Sequence, residues 1–193
     1  MIGDYNQLPY IDRLNLFQLR YIGQNLVTPI SQELTRSYRC PQDVTYALNE
    51  VYDGIYTART KTRSLRRSRL TGSLVPMDAP NALYLIQKGF GKGPNSRILI
   101  INESQGLTHE SVVIIQTKSS KIALHDSVTH AVVAIIRHTA DCTYYTDAEQ
   151  DTIGRFIEGA NKSLEDDVLD YNLKMAISHR DTEAITMLRQ RNH

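Results

Sequence analysis

Cysteine is scarce in this chain. Only Cys40 and Cys142 occur among 193 residues, far apart and in no CxxC spacing. That excludes a disulfide framework and leaves no cluster of soft metal ligands, and two lone thiols fit a reducing compartment. No apolar run approaches the ~18 residues that a membrane-spanning helix needs. Met1 is followed at once by Ile-Gly-Asp, with no basic and then apolar stretch, so no signal peptide is expected. Neither sign of charge dominates: 22 Lys and Arg against 21 Asp and Glu leave a net +1, which is neither a polybasic binder nor an acidic tail. Internal repeats and low-complexity tracts are also missing. So is a nucleotide phosphate loop. Gly89–Gly93 (GFGKG) comes nearest, but Lys92 is followed by Gly93, and no hydroxyl stands where Mg²⁺ would be held.

Apolar residues make up 41% of the chain, enough for a sizeable core in one domain with an appendage. The near-zero net charge hides an asymmetry. Residues 59–69 hold six Lys/Arg and no acid, and residues 147–170 hold eight Asp/Glu against Arg155 and Lys162. The basic stretch 57–72 has no apolar stripe. It reads as a solvated, mobile loop, or else as a phosphate-contacting arm carrying Arg66 and Arg67.

The pattern of elements is α/β. Ile98–Ile101 and Val112–Gln116 are apolar β-type runs around a polar turn, Asn102–Glu110, which contains Gln105-Gly106. Buried strands that stop at polar, glycine-bearing turns are how open α/β sheets present ligand-contacting groups. Further strands are expected at Glu33–Arg39, Leu74-Val75 and Thr143–Thr146. Ala82–Gln87 is a strand or a short helix. Pro41 suits the first turn of a helix over Gln42–Tyr52, which Asp53-Gly54 ends. Asp126 is placed to cap a helix over Ser127–Ile136, whose Val128, Ala131, Val132 and Ile135 share a face. Tyr10–Gly23 has room for a short helix. Beyond Asp147 the spacing turns helical over Ala148–Gly159, Leu164–Ser178 and Thr182–Arg191. Met1-Ile2 reads as the tail of a buried strand with Gly3-Asp4 as its exit turn, so the chain is expected to be part of something longer.

Four segments carry a resemblance. Gly3–Arg13 (GDYNQLPYIDR) resembles the GDxxQ motif III of superfamily 1 viral RNA helicases. Within these the alphavirus-like, tobamovirus-type replicases are nearest, and their motif runs on into a similar Pro-Tyr-Ile-x-Arg. Tyr38–Thr45 (YRCPQDVT) resembles the motif IV region. Asn102–Thr108 (NESQGLT) resembles motif V. Val133–Thr139 (VAIIRHT), followed by Tyr144–Thr146, resembles motif VI. Each is weak alone; four in the family's order, over residues 1–146, make a strong signal. The chain departs from the pattern at Asn102, where His is usual, at Leu107, where a polar residue is usual, and at Ile136, where a hydroxyl residue precedes the arginine.

The resemblance implies a RecA-like (P-loop NTPase-type) parallel sheet. Residues 1–20 would close a first RecA-like domain, 21–147 form a second helicase domain, and 148–193 form a C-terminal helical segment. It implies ATP as cofactor, with Mg²⁺ bound mainly by a first domain absent from this sequence. Gln7 would sense the γ-phosphate, with Asp4 beside it in the same motif. Arg39 and Arg137 would reach the phosphates, for which a guanidinium, always charged and bidentate, is suited. Gln105, Gly106 and Thr108 would form the turn coupling nucleotide to RNA. The partners implied are RNA and an N-terminal RecA-like domain or other replicase domains, in a cytoplasmic replication complex. The function expected is ATP-driven RNA unwinding by a longer protein, with no hydrolysis by this chain alone. The alternatives are a non-enzymatic RNA- or replicase-binding module derived from such a helicase and, less favoured, a cellular superfamily 1 fragment. His138 reads as structural, or as a donor supporting its neighbours. The remaining histidines lack metal or triad spacing, and Asp166-Asp167 reads as a solvated helix face.

Overall fold

The computed structural model describes residues 4, 6–7, 32–71, 75, 82–86, 97–116, 126–148 and 150–190. The strand tail at Met1-Ile2, the helix within Tyr10–Gly23, the loop Gly89–Gly93, Leu74 and the proposed boundary near residue 20 lie outside the described residues.

Among the described residues, seven strands and five helices follow in the order β1 (Arg36–Ser37), α1 (Gln42–Ala47), β2 (Tyr56–Thr57), β3 (Leu65–Ser68), β4 (Ala82–Ile86), β5 (Arg97–Ile100), β6 (His109–Ile115), α2 (Val128–Ile135), β7 (His138–Tyr145), α3 (Thr152–Lys162), α4 (Glu165–Ser178) and α5 (Thr182–Arg189). Single 3₁₀ turns occupy Leu48–Glu50 and Ile101–Ser104. Five strands form one sheet in the order β3-β7-β6-β4-β5, and each of its pairings is parallel. β1 and β2 make a separate parallel pair.

The central strands are apolar because a parallel sheet is covered on both faces. All five residues of β4 are buried. Alternate residues face opposite ways. Leu83, Leu85, Val112, Ile114, Cys142 and Tyr144 join the main core beneath α1, α2 and α3. Tyr84, Ile86, Val113 and Ile115 form a second cluster with Leu70, Val75 and Ile98. In α2, Val132, Val133 and Ile135 are fully buried, each contributing about 1.5–3 kcal/mol of transfer free energy.

Several expectations are corrected. The basic stretch 57–72 is not wholly loop: it opens on Thr57, the second residue of β2, and contains β3. β3 lies at the edge of the sheet, so Leu65 alone supplies its buried apolar contact while Arg66 stays exposed. The strand expected over Glu33–Arg39 shrinks to two residues. Ser37 Oγ accepts the Arg39 and Cys40 amides at 3.4 and 3.1 Å and turns the chain away. The first helix gives way to the 3₁₀ turn after Ala47, and Gly54 follows with φ +70°. Ser127, not Asp126, is the N-cap of α2, since its Oγ accepts the His130 amide. The last strand, expected at Thr143–Thr146, is eight residues long and starts at His138, directly after Arg137; its polar opening hides it from hydropathy. α3 begins at Thr152, where Asp151 caps the Gly154 amide at 2.7 Å.

The C-terminal helices pack onto the sheet-bearing body. Asn172 of α4 is fully buried. Its Oδ1 accepts from Thr45 Oγ1 at 2.8 Å and from the Thr57 amide at 3.0 Å, and its Nδ2 donates to the Gln42 and Val168 carbonyls. Asp181, the N-cap of α5, pairs with Arg36 at 3.0 Å and accepts from Tyr56 Oη at 2.9 Å.

Candidate functional site

Three pieces of chain converge at the amino ends of β6 and β7. The first is the turn from the 3₁₀ residues Ile101–Ser104 to Thr108. Ser104 is buried and its Oγ donates back to the Ile101 carbonyl at 2.7 Å. Gly106 has φ +82° with open space where a Cβ would stand. It is glycine because of its backbone angle, not because of a close neighbour. Gln105 and Gly106 lie on the exposed apex of this turn.

The second piece is Arg137, between the end of α2 and the start of β7. Its carbonyl accepts the His109 amide at 2.8 Å, which fixes the backbone against β6. The side chain is 1% exposed. Nη1 donates to the Ser104 and Leu107 carbonyls at 3.3 Å each, and Nη2 donates to Gln7 Oε1 at 3.4 Å. These bonds are long for a charged donor. Arg39, the third piece, lies close enough to repel it. Burial first, and Arg39 second, pull the Arg137 guanidinium down to about 10 from its ordinary value. Arg39 Nη1 donates to Thr108 Oγ1 at 2.9 Å. The Nε–H groups of both arginines are buried with no acceptor among the described residues.

Gln7 completes the site. Its Nε2 donates to Asp4 Oδ2 at 2.5 Å, and the same oxygen accepts from Tyr52 Oη at 2.8 Å. Burial, then the Asp4 carboxylate, push the Tyr52 phenol well above its ordinary value, so it remains a neutral donor. The acceptors that Arg137 reaches among the described residues are thus two carbonyls and one amide oxygen. Two crowded cations with weak, uncharged acceptors are chemically suited to an anion.

Of the residues expected from sequence, Asp4, Gln7, Arg39, Thr108 and Arg137 are brought together, with Gln105 and Gly106 on the adjoining apex. Arg66 and Arg67 are placed apart, on the edge strand β3. Arg66 is largely exposed and lies 3.4 Å from Asp141. Arg67 turns toward α3, donating to the Ala148 carbonyl at 2.5 Å and pairing with Glu158. Arg67 is thus paired within the fold, while Arg66 stays on the exposed side of the edge strand. No group of three His, Cys, Asp or Glu converges to hold a metal ion among the described residues, and no helix there is long and apolar enough to cross a membrane.

Sequence reasoning passed over Tyr52, Ser104, Asp43 and Ser64. Asp43 Oδ2 accepts the Ser64 and Leu65 amides at 2.5 and 2.8 Å, and Oδ1 accepts from Ser64 Oγ at 2.6 Å. His138 Nε2 lies 2.8 Å from the same hydroxyl. Asp43 inside the motif IV segment and His138 beside Arg137 were the available signals; their partner, Ser64, carries none.

A five-stranded parallel sheet with helices, bearing arginines at loops along one end, defines the class: an α/β, RecA-like domain. Over residues 1–146 the sequence matches the viral superfamily 1 RNA helicase core domain, and the chain belongs to that family. It is 32% identical over 159 residues to the replicase large subunit of Turnip vein-clearing virus, covering 75% of this chain and 10% of that protein. It is 26% identical over 193 residues to replicase protein 1a of Grapevine leafroll-associated virus 3, covering 86% and 8%. The chain therefore spans about a tenth of the length of these replicases. The fold is similar to the PRRSV helicase (TM-score 0.51, 19% identity, 77% of this chain and 29% of that one). It is also similar to Arterivirus nonstructural protein 10 (helicase) in a complex with DNA (TM-score 0.50, 19% identity, 80% and 34%).

Proposed function

We propose that this chain supplies the second RecA-like wall of a helicase nucleotide site, and that Arg39 and Arg137 are its phosphate-contacting groups. The carrying observation is the pair itself. Two guanidiniums are crowded together, one fully buried, with spare N–H donors and only uncharged acceptors for Arg137. Gln7 of the first motif reaches the arginine of the last, as a sensor spanning two domains requires.

ATP would supply the phosphoanhydride whose hydrolysis powers movement along RNA. The residues here would bind and report on it. Arg39 and Arg137 would offer planar forks to phosphoryl oxygens. Gln7 would hydrogen-bond without adding charge. Arg137 would exchange its long bonds to the Ser104 and Leu107 carbonyls for stronger ones to the anion. That exchange would release the turn that carries Gly106 and Thr108, and so pass the nucleotide state to a strand of RNA lying on it. The residues that match the family's phosphate-contacting set fit a triphosphate. They do not form a Mg²⁺ site among the described residues.

ATP-dependent RNA unwinding, in this reading, belongs to a longer replicase acting in a cytoplasmic replication complex, with RNA and a first RecA-like domain as partners. Calorimetric titration of the 193-residue chain with ATP tests it. Binding is expected, and Arg39→Ala and Arg137→Ala should each abolish or strongly weaken it. Isotherms unchanged in both variants would overturn the assignment. Mg²⁺-dependent hydrolysis by the isolated chain, lost in Arg137→Ala, would overturn the expectation that this half is inactive alone.

A further inference from the structure

The two arginines come from parts of the chain about a hundred residues apart, yet their spacing decides whether both can grip one anion. Each is followed within four residues by a buried polar side chain. Asp43 (fully buried) lies in the first turn of α1, four residues after Arg39, and His138 (fully buried) directly follows Arg137. Between them sits Ser64, 1% exposed, at the entry to β3. Its hydroxyl has one proton. At 2.6 Å from a carboxylate oxygen that proton goes to Asp43. The Ser64 oxygen is then left to accept, and His138 Nε2 stands 2.8 Å away to donate. The result is a continuous chain of donors from His138 through Ser64 to Asp43.

We propose that Ser64 is a positioning residue for the phosphate site: by linking Asp43 to His138 it sets the separation of Arg39 and Arg137. This rests on the assignment of those arginines to phosphate. The backbone supports the same geometry. The Ser64 carbonyl accepts the Cys142 amide at 2.9 Å, which pins β3 to β7, and the Gln42 amide donates to the Lys61 carbonyl at 2.9 Å, which pins α1 to the same segment. The link is built to be rigid. Asp43 is held by three donors. Burial keeps the imidazole neutral, its pKa lowered to about 4, and the Ser64 oxygen, whose own proton goes to Asp43, favours the tautomer with the proton on Nε2. A serine hydroxyl is the smallest group that both donates and accepts here. Alanine keeps the fold's volume and breaks the chain at its middle.

The probe is inorganic pyrophosphate, titrated into the 193-residue chain and followed on the Nε–H resonances of Arg39 and Arg137 by NMR, with thermal unfolding measured in parallel. The unaltered chain should bind. Ser64→Ala should bind about tenfold more weakly, or about 1.4 kcal/mol. Ser64→Thr, which keeps the hydroxyl, should stay within about threefold (roughly 0.7 kcal/mol) of the unaltered chain. Leu188→Ala, in the separate α4–α5 core, should lower the melting temperature without changing affinity. In an Arg39→Ala background the Ser64→Ala effect should vanish, because one arginine has no partner to be spaced from. Loss of affinity that persists undiminished in that background, or affinity unchanged by Ser64→Ala, overturns the positioning role. No binding by the unaltered chain overturns the phosphate-site assignment itself, and this role with it.

Discussion

Arginines stand at both ends of the same parallel sheet in opposite electrostatic settings. At the carboxyl end of β3, Arg67 is neutralised: Glu158 and the Ala148 carbonyl take its donors. Beside it Asp147 receives the Thr71 amide at 2.9 Å and the Thr71 hydroxyl. Tyr144 Oη donates to Asp151 Oδ2 at 2.8 Å and lies 3.1 Å from Gln116 Oε1. At the amino ends of β6 and β7, Arg137 is more deeply buried than Arg67 but meets carbonyls, an amide and another arginine. A protein that needed only stability would place its buried arginine like Arg67. At the Arg137 end no carboxylate among the described residues bonds the buried guanidinium directly, and Asp4 acts on it only through space and through Gln7, whereas Arg67 is paired outright.

That contrast is open to a series of tests. The largest effect is expected at Arg137. Arg137→Met should weaken pyrophosphate binding roughly 10- to 100-fold, the worth of about 1.5–3 kcal/mol for hydrogen bonds to a charged group. It should leave unfolding free energy equal or higher, since a crowded buried charge is removed. A binding loss accompanied by marked destabilisation would mean that Arg137 is a structural residue like Arg67. The next effect concerns His138. Its folded pKa is depressed to about 4 from 6.5, so the unfolded chain takes up its proton first as pH falls. The stabilisation is complete above pH ~6.5 and is lost progressively down to pH ~4, roughly 3 kcal/mol in all. Urea unfolding from pH 7.5 to 4.5 should show this slope, and His138→Gln should flatten it. An identical slope in the variant would break the assignment.

Smaller effects are expected at the neutralised end. Arg67→Met should lower unfolding free energy by about 1 kcal/mol, as a partly buried pair lost, with pyrophosphate affinity unchanged. A change in affinity would erase the distinction between the two ends. The smallest is Glu50→Gln, whose partner Arg155 lies at 2.5 Å on the exposed surface. It should shift stability by no more than about 0.5 kcal/mol and less in high salt, checked by urea titration at two ionic strengths.

Much of this was legible beforehand where signals were local. The strands β5 and β6 declare themselves as short apolar runs and α4 by its 3–4 residue spacing, while the run of β4 fitted a strand or a short helix equally and only its place in the sheet decided. Motifs IV, V and VI place Arg39, Thr108 and Arg137 on loops. β3 was not legible, because an edge strand needs a single buried apolar residue and its neighbours here are cations. The opening of β7 was hidden by His138, Thr139 and Asp141, which are polar although His138 is buried. The Ser127 cap was missed because Asp126 is as good a candidate by type, and only backbone geometry chooses between adjacent cap residues.

The sequence by itself determined the family, the α/β class and the residue types at the site, because motif order, hydrophobic period and side-chain chemistry are properties of the chain. Only the tertiary structure decided which arginine pairs with a carboxylate and which bonds carbonyls and an amide instead. Arg67 and Arg137 are the same residue in one dimension. Whether a guanidinium finds a carboxylate or a second guanidinium depends on residues distant in sequence, Glu158 for one and Arg39 for the other, and folding alone sets those distances.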